Sequence, residues 1–166
     1  MAASVRFNEY NGESATETQG ISNLNFGSVD APNLNPADYP IQRGDASYDK
    51  WIKLDFYGGV FNRVSDFKFW RSDGNHGDGP DLPAGISVVG EVGTPASGDL
   101  TYTTPTQTAL DLDPVPNTEA TAWSVGPSEL VSYGKTYYIH LQLQTTTEAA
   151  TGDIPPIYWE FKWTEE

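Results

Sequence analysis

Residues 157–163, Ile-Tyr-Trp-Glu-Phe-Lys-Trp, alternate apolar and polar side chains close to the C-terminus. Because successive side chains of a strand point to opposite faces, Ile157, Trp159, Phe161 and Trp163 share one face. Two Trp rings and a Phe ring on one face bring a large apolar area to a core, since aromatic side chains dominate core energetics. The stretch therefore predicts a half-buried β-strand that closes a hydrophobic core.

The same alternation recurs in eight further stretches, which clusters of Gly, Pro, Asn and Asp separate. They are residues 5–10, 21–26, 51–57, 65–71, 86–89, 100–103, 120–125 and 137–144. Short strands with frequent turn signals are typical of β-sandwiches and barrels. The sequence predicts an all-β fold of about nine strands, in a two-sheet antiparallel sandwich of jelly-roll or immunoglobulin-like type with long irregular loops.

Length and composition indicate a single domain over residues 1–166. The chain has no cysteine, so it can form neither a disulfide framework nor a thiolate metal site. Residues 1–5 lack a basic region followed by an apolar stretch, and no apolar run approaches the roughly 20 residues that span a bilayer. We expect synthesis in the cytoplasm and no membrane partner.

Charge is distributed unevenly along the chain, whose formal net charge is −14. Residues 1–71 carry nine acidic and seven basic side chains, whereas residues 72–166 carry fourteen acidic and two basic side chains. Affinity for nucleic acid depends on basic contacts to phosphates, so the composition disfavours a nucleic-acid partner. A basic partner surface suits the acidic half better, although the acids could also serve solubility alone.

Three segments interrupt the strand pattern. Residues 27–49 are rich in proline and too long for a hairpin connection, so we expect this segment to run extended over a surface. Residues 8–20 are rich in Glu, Thr, Ser and Asn and predict a mobile loop, and residues 72–85 form a loop rich in Gly and Asp. The first two segments could be contact arms to neighbouring subunits.

The Gly/Asp loop is the best candidate for metal chemistry. Asp73, Asn75, Asp78 and Asp81 are interleaved with glycines and could supply oxygen ligands to calcium, which takes six to eight such donors. The spacing does not match an EF-hand, because the sixth position from Asp73 is Asp78 and the twelfth is Ala84. The alternative is an exposed turn in which these residues serve turn geometry. No other cofactor is predicted.

Catalysis has little support in the sequence. The two histidines, His76 and His140, are far apart, and the chain has no Gly-x-Ser-x-Gly elbow. We therefore predict a non-enzymatic protein in which His140 is an outward-facing or hydrogen-bonded sheet residue.

Aromatic rings in loops or opposite the main apolar faces could form a carbohydrate platform, or be covered by a loop or a partner. They are Tyr39, Tyr48, Trp51, Tyr57, Trp70, Tyr133, Tyr138 and Tyr158.

Four stretches of the first half carry a resemblance to known proteins: residues 3–9 (Ala-Ser-Val-Arg-Phe-Asn-Glu), 21–28 (Ile-Ser-Asn-Leu-Asn-Phe-Gly-Ser), 39–41 (Tyr-Pro-Ile) and 48–52 (Tyr-Asp-Lys-Trp-Ile). Together with the aromatic last strand, they resemble a group of small virion proteins of tailed bacteriophages, encoded near the major capsid protein. The likeness is strongest in the first 70 residues, and residues 74–127 have no counterpart.

This resemblance implies a capsid decoration, or cement, protein on the outer surface of the phage head. Its partners would be the major capsid protein and neighbouring copies of itself, and it could form a homo-oligomer. We expect the basic residues of the N-terminal half to dock on the capsid while the acidic half faces solvent. These candidates are Arg43, Lys50, Lys53, Arg63, Lys68 and Arg71. A head-to-tail or tail component, and a carbohydrate- or receptor-binding module, remain alternatives.

Overall fold

The computed structural model describes residues 2–166, which form an all-β sandwich of two antiparallel sheets. Within those residues there are eleven strands and one turn of 3₁₀ helix at Glu119–Thr121. The long strands are β1 (Ser4–Asn11), β3 (Lys50–Gly58), β4 (Val64–Ser72), β5 (Ile86–Val92), β10 (Ile139–Thr145) and β11 (Tyr158–Glu165). The short strands are β2 (Thr16–Gln19), β6 (Asp113–Pro114), β7 (Trp123–Ser124), β8 (Glu129–Leu130) and β9 (Gly134–Lys135).

The larger sheet has the strand order β2-β1-β3-β10-β5-β6, and β9 also pairs with β3. The smaller sheet has the order β11-β4-β7, and β8 also pairs with β4. Each sheet therefore contains strands from both halves of the sequence. The expected separation into a docking half and an acidic half is wrong, because β10 lies beside β3 and β11 lies beside β4.

The core lies between the two sheets, as the alternating strands predict. Ile52, Leu54 and Phe56 of β3 face inward and are almost completely buried. They meet aromatic side chains of the smaller sheet, and the rings of Phe56 and Phe67 pack edge to face with 5.5 Å between centroids. The predicted inner face of β11 also joins this core, where the ring of Trp159 stacks on that of Phe69.

A β-bulge in β4 aligns its apolar residues with the core. The pairing of β4 with β11 shifts between Lys162 and Thr164, and Asp66 has a left-handed φ of 54°. Val64 and Phe67 are three residues apart, yet the extra residue lets both face inward.

Residues 99–110, here called the strap, cross the outer face of the larger sheet. The strap contains no strand, and its backbone bonds to side chains of the sheet instead. The Leu110 amide donates to Gln142 Oε1 over 2.9 Å, and Gln142 Nε2 donates to the Thr108 carbonyl over 3.0 Å. Trp51 is only 2% exposed beneath this segment, with its ring 5.2 Å from that of Tyr102. The large rings on this face are therefore covered by the chain itself.

Four local predictions differ from the structure. Residues 21–26 and 100–103 are not strands, although Leu24 and Phe26 still pack on the core. Residues 8–20, predicted as a mobile loop, form most of a hairpin in which β2 pairs with β1 from Asn8–Gln19 to Asn11–Thr16. The predicted strand at 120–125 contains the 3₁₀ turn followed by the two residues of β7.

Candidate functional site

An apolar cleft of about 580 Å³ lies at one end of the sandwich. Its floor contains Leu143 of β10 and Ile86 of β5, at the point where those strands end and begin. One wall is the proline-rich segment between Pro36 and Arg43, and the other is residues 149–157. Clefts of this size with mostly apolar walls are typical binding sites.

The proline-rich wall is fixed to the sandwich rather than extended away from it. The Ser28 amide donates to the Tyr39 carbonyl over 3.0 Å, which folds the segment back on itself. Lys50 Nζ donates to the Ala31 carbonyl over 2.7 Å, and the Gly44 amide donates to Thr145 Oγ1 over 2.9 Å. The segment therefore runs over the surface of the sandwich and forms one side of the cleft, while its role as a contact arm stays a prediction.

The second wall is held by a close approach between two loops. The Thr146 amide donates to the Gly85 carbonyl over 2.8 Å, and the Ala149 amide donates to the Thr146 carbonyl over 3.1 Å. Gly85 has a φ of +78°, and a Cβ placed on it would lie 2.5 Å from the Ala149 nitrogen. Only glycine fits this position without displacing the wall.

Several acidic side chains and one exposed basic side chain lie at or beside the cleft. Among the residues that the structure describes, Arg43 is the only exposed lysine or arginine with no carboxylate within 4.0 Å. Four exposed acids lie in the two walls or within two residues of them along the chain, and none forms an ion pair with another described residue. They are Asp38, Asp45, Glu148 and Asp153. Exposed acidic side chains therefore outnumber exposed basic ones at and beside the walls.

Most of the predicted docking cations are occupied within the chain. Lys50 is 1% exposed and bonds Glu9, and Arg71 is buried and donates to the Pro80 carbonyl. Neither side chain can reach a partner, so both predictions are corrected. The partners of the other three lie within the chain: Asp99 for Lys53, Glu129 and Glu166 for Arg63, and Glu119 for Lys68. Only Arg43 is left with an unengaged charge, and it lies in the cleft wall.

The Gly/Asp loop has the geometry of a turn. Asp73 Oδ1 accepts from the amides of Asn75 and Gly77 over 2.7 and 3.0 Å, and these bonds lower the pKa of the carboxyl. Asp78 pairs with Ser72 across the base of the loop. In residues 2–166, no three His, Cys, Asp or Glu side chains are grouped so that they could hold a metal ion. The turn interpretation therefore accounts for Asp73, and nothing gathers Asn75, Asp78 and Asp81 around a common centre.

His140 lies between two carboxylates beneath the strap. Its Nε2 is 2.6 Å from Asp49 Oδ2 and its Nδ1 is 3.0 Å from Glu91 Oε1, while its ring stacks on Trp51. Asp49 also accepts from Trp51 Nε1 and from the Thr106 amide. Within this cluster, Asp49 joins the strap to the sheet, because it bonds Thr106 of the strap as well as His140 and Trp51 of the sheet. The prediction of a hydrogen-bonded sheet residue describes His140 correctly.

A second hollow, of about 440 Å³, lies on the outer face of the smaller sheet. On one side, His76 Nδ1 lies 2.5 Å from Glu160 Oε1, and Lys162 forms an ion pair of 2.5 Å with Glu119. Trp70 contributes to the hollow but is 1% exposed, and its Nε1 has no hydrogen-bond partner. Both acids of the hollow therefore have hydrogen-bond partners within the chain.

The carbohydrate platform, one of the alternatives for these rings, does not form as one surface. Trp51 and Trp70, its two largest rings, are buried. Tyr39 lies in the cleft wall, whereas Tyr133 donates to the Gly59 carbonyl at the opposite end of the sandwich. Tyr39 and Tyr133 are therefore separated by the length of the strands.

Comparisons with protein-family models, with curated proteins and with solved structures found no match to this chain. The resemblance to phage virion proteins thus stays a prediction from the sequence. Within residues 2–166, no helix is long and apolar enough to cross a membrane.

Proposed function

We propose that this protein is a structural component of a bacteriophage particle, a decoration protein that binds the outside of the head through the cleft end of its sandwich. The cleft carries the proposal, because it is a largely apolar recess whose walls are hydrogen-bonded to the sandwich, whereas the polar clusters around His140 and Lys50 are engaged within the chain. A decoration protein acts by adding contacts between subunits, and a fixed apolar recess is suited to that role.

The strap and the ion pairs support binding at one end instead of on a sheet face. The outer face of the larger sheet is closed by the strap through Asp49 and Gln142. Exposed ion pairs elsewhere on the surface, such as Arg63 with Glu166 and Lys162 with Glu119, contribute little energy. The partners in this proposal are the major capsid protein and neighbouring copies of the chain.

Counting the chain in purified particles by quantitative mass spectrometry, against the major capsid protein, tests this proposal. Hundreds of copies in a simple ratio to the capsid protein support a decoration protein. A dozen or fewer copies would place the chain at the neck or tail, which is the alternative virion role. Absence from particles, with no rebinding of purified protein to heads, would overturn the proposal.

A further inference from the structure

The chemistry of the cleft also restricts what occupies it, and this inference rests on the proposed function. The floor and walls offer branched and cyclic apolar side chains, including Leu24, Phe26, Ile41 and Ile157. Burial of apolar surface here favours an occupant with aliphatic side chains, at about 25 cal/mol per Å² removed from water. The first requirement of the occupant is therefore a short apolar stretch.

Prolines restrict how the occupant can bond to the walls. Pro36, Pro40, Pro155 and Pro156 all line the cleft, and proline has no backbone N–H. At these four positions the walls therefore offer a carbonyl acceptor without an amide donor. An extended peptide supplies its own N–H donors and alternates its side chains, so it can insert apolar groups and still donate to carbonyls.

Charge selects among apolar segments. Asp153 lines the cleft, while Asp38, Asp45 and Glu148 are exposed and lie within two residues of lining positions along the chain. Arg43 is the one exposed basic side chain in the two walls. Interfaces place opposite potentials against each other, which favours partners that carry Lys or Arg beside the apolar stretch. The same excess of acids disfavours an acidic segment or a fatty-acid carboxylate.

We infer that the cleft binds an extended aliphatic peptide segment of a partner protein, flanked on each side by basic residues. The side chains of the stretch fill the recess between the two walls, and the flanking cations meet the four carboxylates around it. Arg43 opposes this binding and limits its strength.

Synthetic peptides test the inference on the full chain. The probe is fluorescein-labelled Lys-Lys-Val-Leu-Pro-Val-Leu-Lys-Lys, and its twin replaces each Lys by Glu, with anisotropy measured at low and high salt. We expect the basic probe to bind at least about tenfold more tightly than its twin at low salt, and to lose most of that advantage at high salt. Equal or tighter binding of the acidic twin, or of oleate in competition, would overturn the inference.

Two variants place the binding in the cleft. Ile41→Asp puts a charge into the apolar wall and should weaken the basic probe about tenfold, whereas Val131→Asp, 67% exposed at the opposite end, should leave it unchanged. Since Ile41→Asp could also unfold the wall, Arg43→Glu is a second variant at an exposed position. It should tighten the basic probe about threefold, and weaker binding would show that Arg43 anchors a carboxylate instead.

The two proposals fail separately. If heads bind the chain while the basic probe does not bind, the peptide inference is wrong and the decoration role stands. If the probe binds in the cleft while particles lack the chain, the decoration role is wrong and the cleft chemistry stands.

Discussion

Lys50 Nζ donates to Glu9 Oε1 over 2.7 Å, and both side chains are sealed from solvent at 1% and 0% exposure. The pair lies where β1 and β3 reach the cleft end, and the same ammonium group donates to the Ala31 carbonyl of the proline-rich segment. Burial raises the pKa of Glu9 more than the neighbouring Lys50 and Asn11 lower it. The ion pair therefore joins the sandwich to the segment that forms one wall of the cleft.

Removing one member of this pair should be costly. Lys50→Met leaves the Glu9 carboxylate buried without its cation, and breaking buried pairs costs about 3–5 kcal/mol of unfolding free energy. Urea unfolding followed by tryptophan fluorescence measures the loss. Lys53→Met is the matched control on the same strand, because its pair with Asp99 is partly exposed and should be worth about 0–1 kcal/mol.

The double variant Glu9→Leu/Lys50→Met tests whether the stability lost in Lys50→Met comes from the unpaired Glu9 carboxylate. We expect it to recover most of the stability lost in Lys50→Met, since an apolar replacement of both partners removes the uncompensated charge. A double variant no more stable than the single one would show that other contacts of Lys50 dominate, such as the bond to Ala31.

Asp49 should control the strap. Asp49→Ala leaves His140 Nε2, Trp51 Nε1 and the Thr106 amide without their acceptor, and each orphaned buried donor costs about 1–3 kcal/mol. Hydrogen exchange should accelerate at the amides of Thr106 and Leu110 before it changes in β4. Glu91→Ala removes the other, more exposed carboxylate of His140 and should have a much smaller effect. Equal exchange in both variants would contradict this role for Asp49.

The long strands could be predicted because their side chains alternate and their inner faces are apolar. Ile52, Leu54 and Phe56 show this pattern and occupy the core as expected. Residues 21–26 carry the same pattern but are not a strand, because Leu24 and Phe26 pack on the core while Asn25 Nδ2 bonds the Leu34 carbonyl in a loop. β2 has no apolar alternation and could not be predicted from one. It is stabilised by pairing with β1 in a hairpin.

Only one of the two walls of the cleft could be predicted from the sequence. The sequence indicated residues 27–49 and Arg43 as a contact region, and both lie in one wall. It gave no sign of the wall at 149–157, which meets the first only after β10 and β11 have paired in different sheets. The distribution of charge along the sequence could not show that Lys50 is buried, because its partner Glu9 is 41 residues away.

The β1–β2 hairpin should weaken in acid through Glu17. Burial raises the pKa of Glu17, but hydrogen bonds from the side chains of Lys135, Tyr10 and Asn8 together lower it by a larger amount. The pKa of Glu17 therefore lies below its ordinary value. A lowered pKa stabilises the fold above about pH 4.5, and that contribution is lost as pH falls through the folded-state pKa. The stability advantage of the wild type over Glu17→Gln should therefore shrink between pH 5 and the lowest pH at which the protein stays folded, as urea midpoints would measure. A stability advantage that stays constant over this pH range would contradict this role of Glu17.

Gly85→Ala tests the second cleft wall, and Gly98→Ala is its matched control. Both glycines have a φ of +78°, so alanine at either position has the same left-handed strain of about 1–2 kcal/mol. A Cβ at Gly98 meets nothing within 4 Å, whereas at Gly85 it would lie 2.5 Å from the Ala149 nitrogen. Gly85→Ala should therefore cost about 1–3 kcal/mol more than Gly98→Ala in urea unfolding, and should speed hydrogen exchange at Thr146. Equal losses in the two variants would mean that the wall moves freely, and a wall of that kind could not supply a preformed binding cleft.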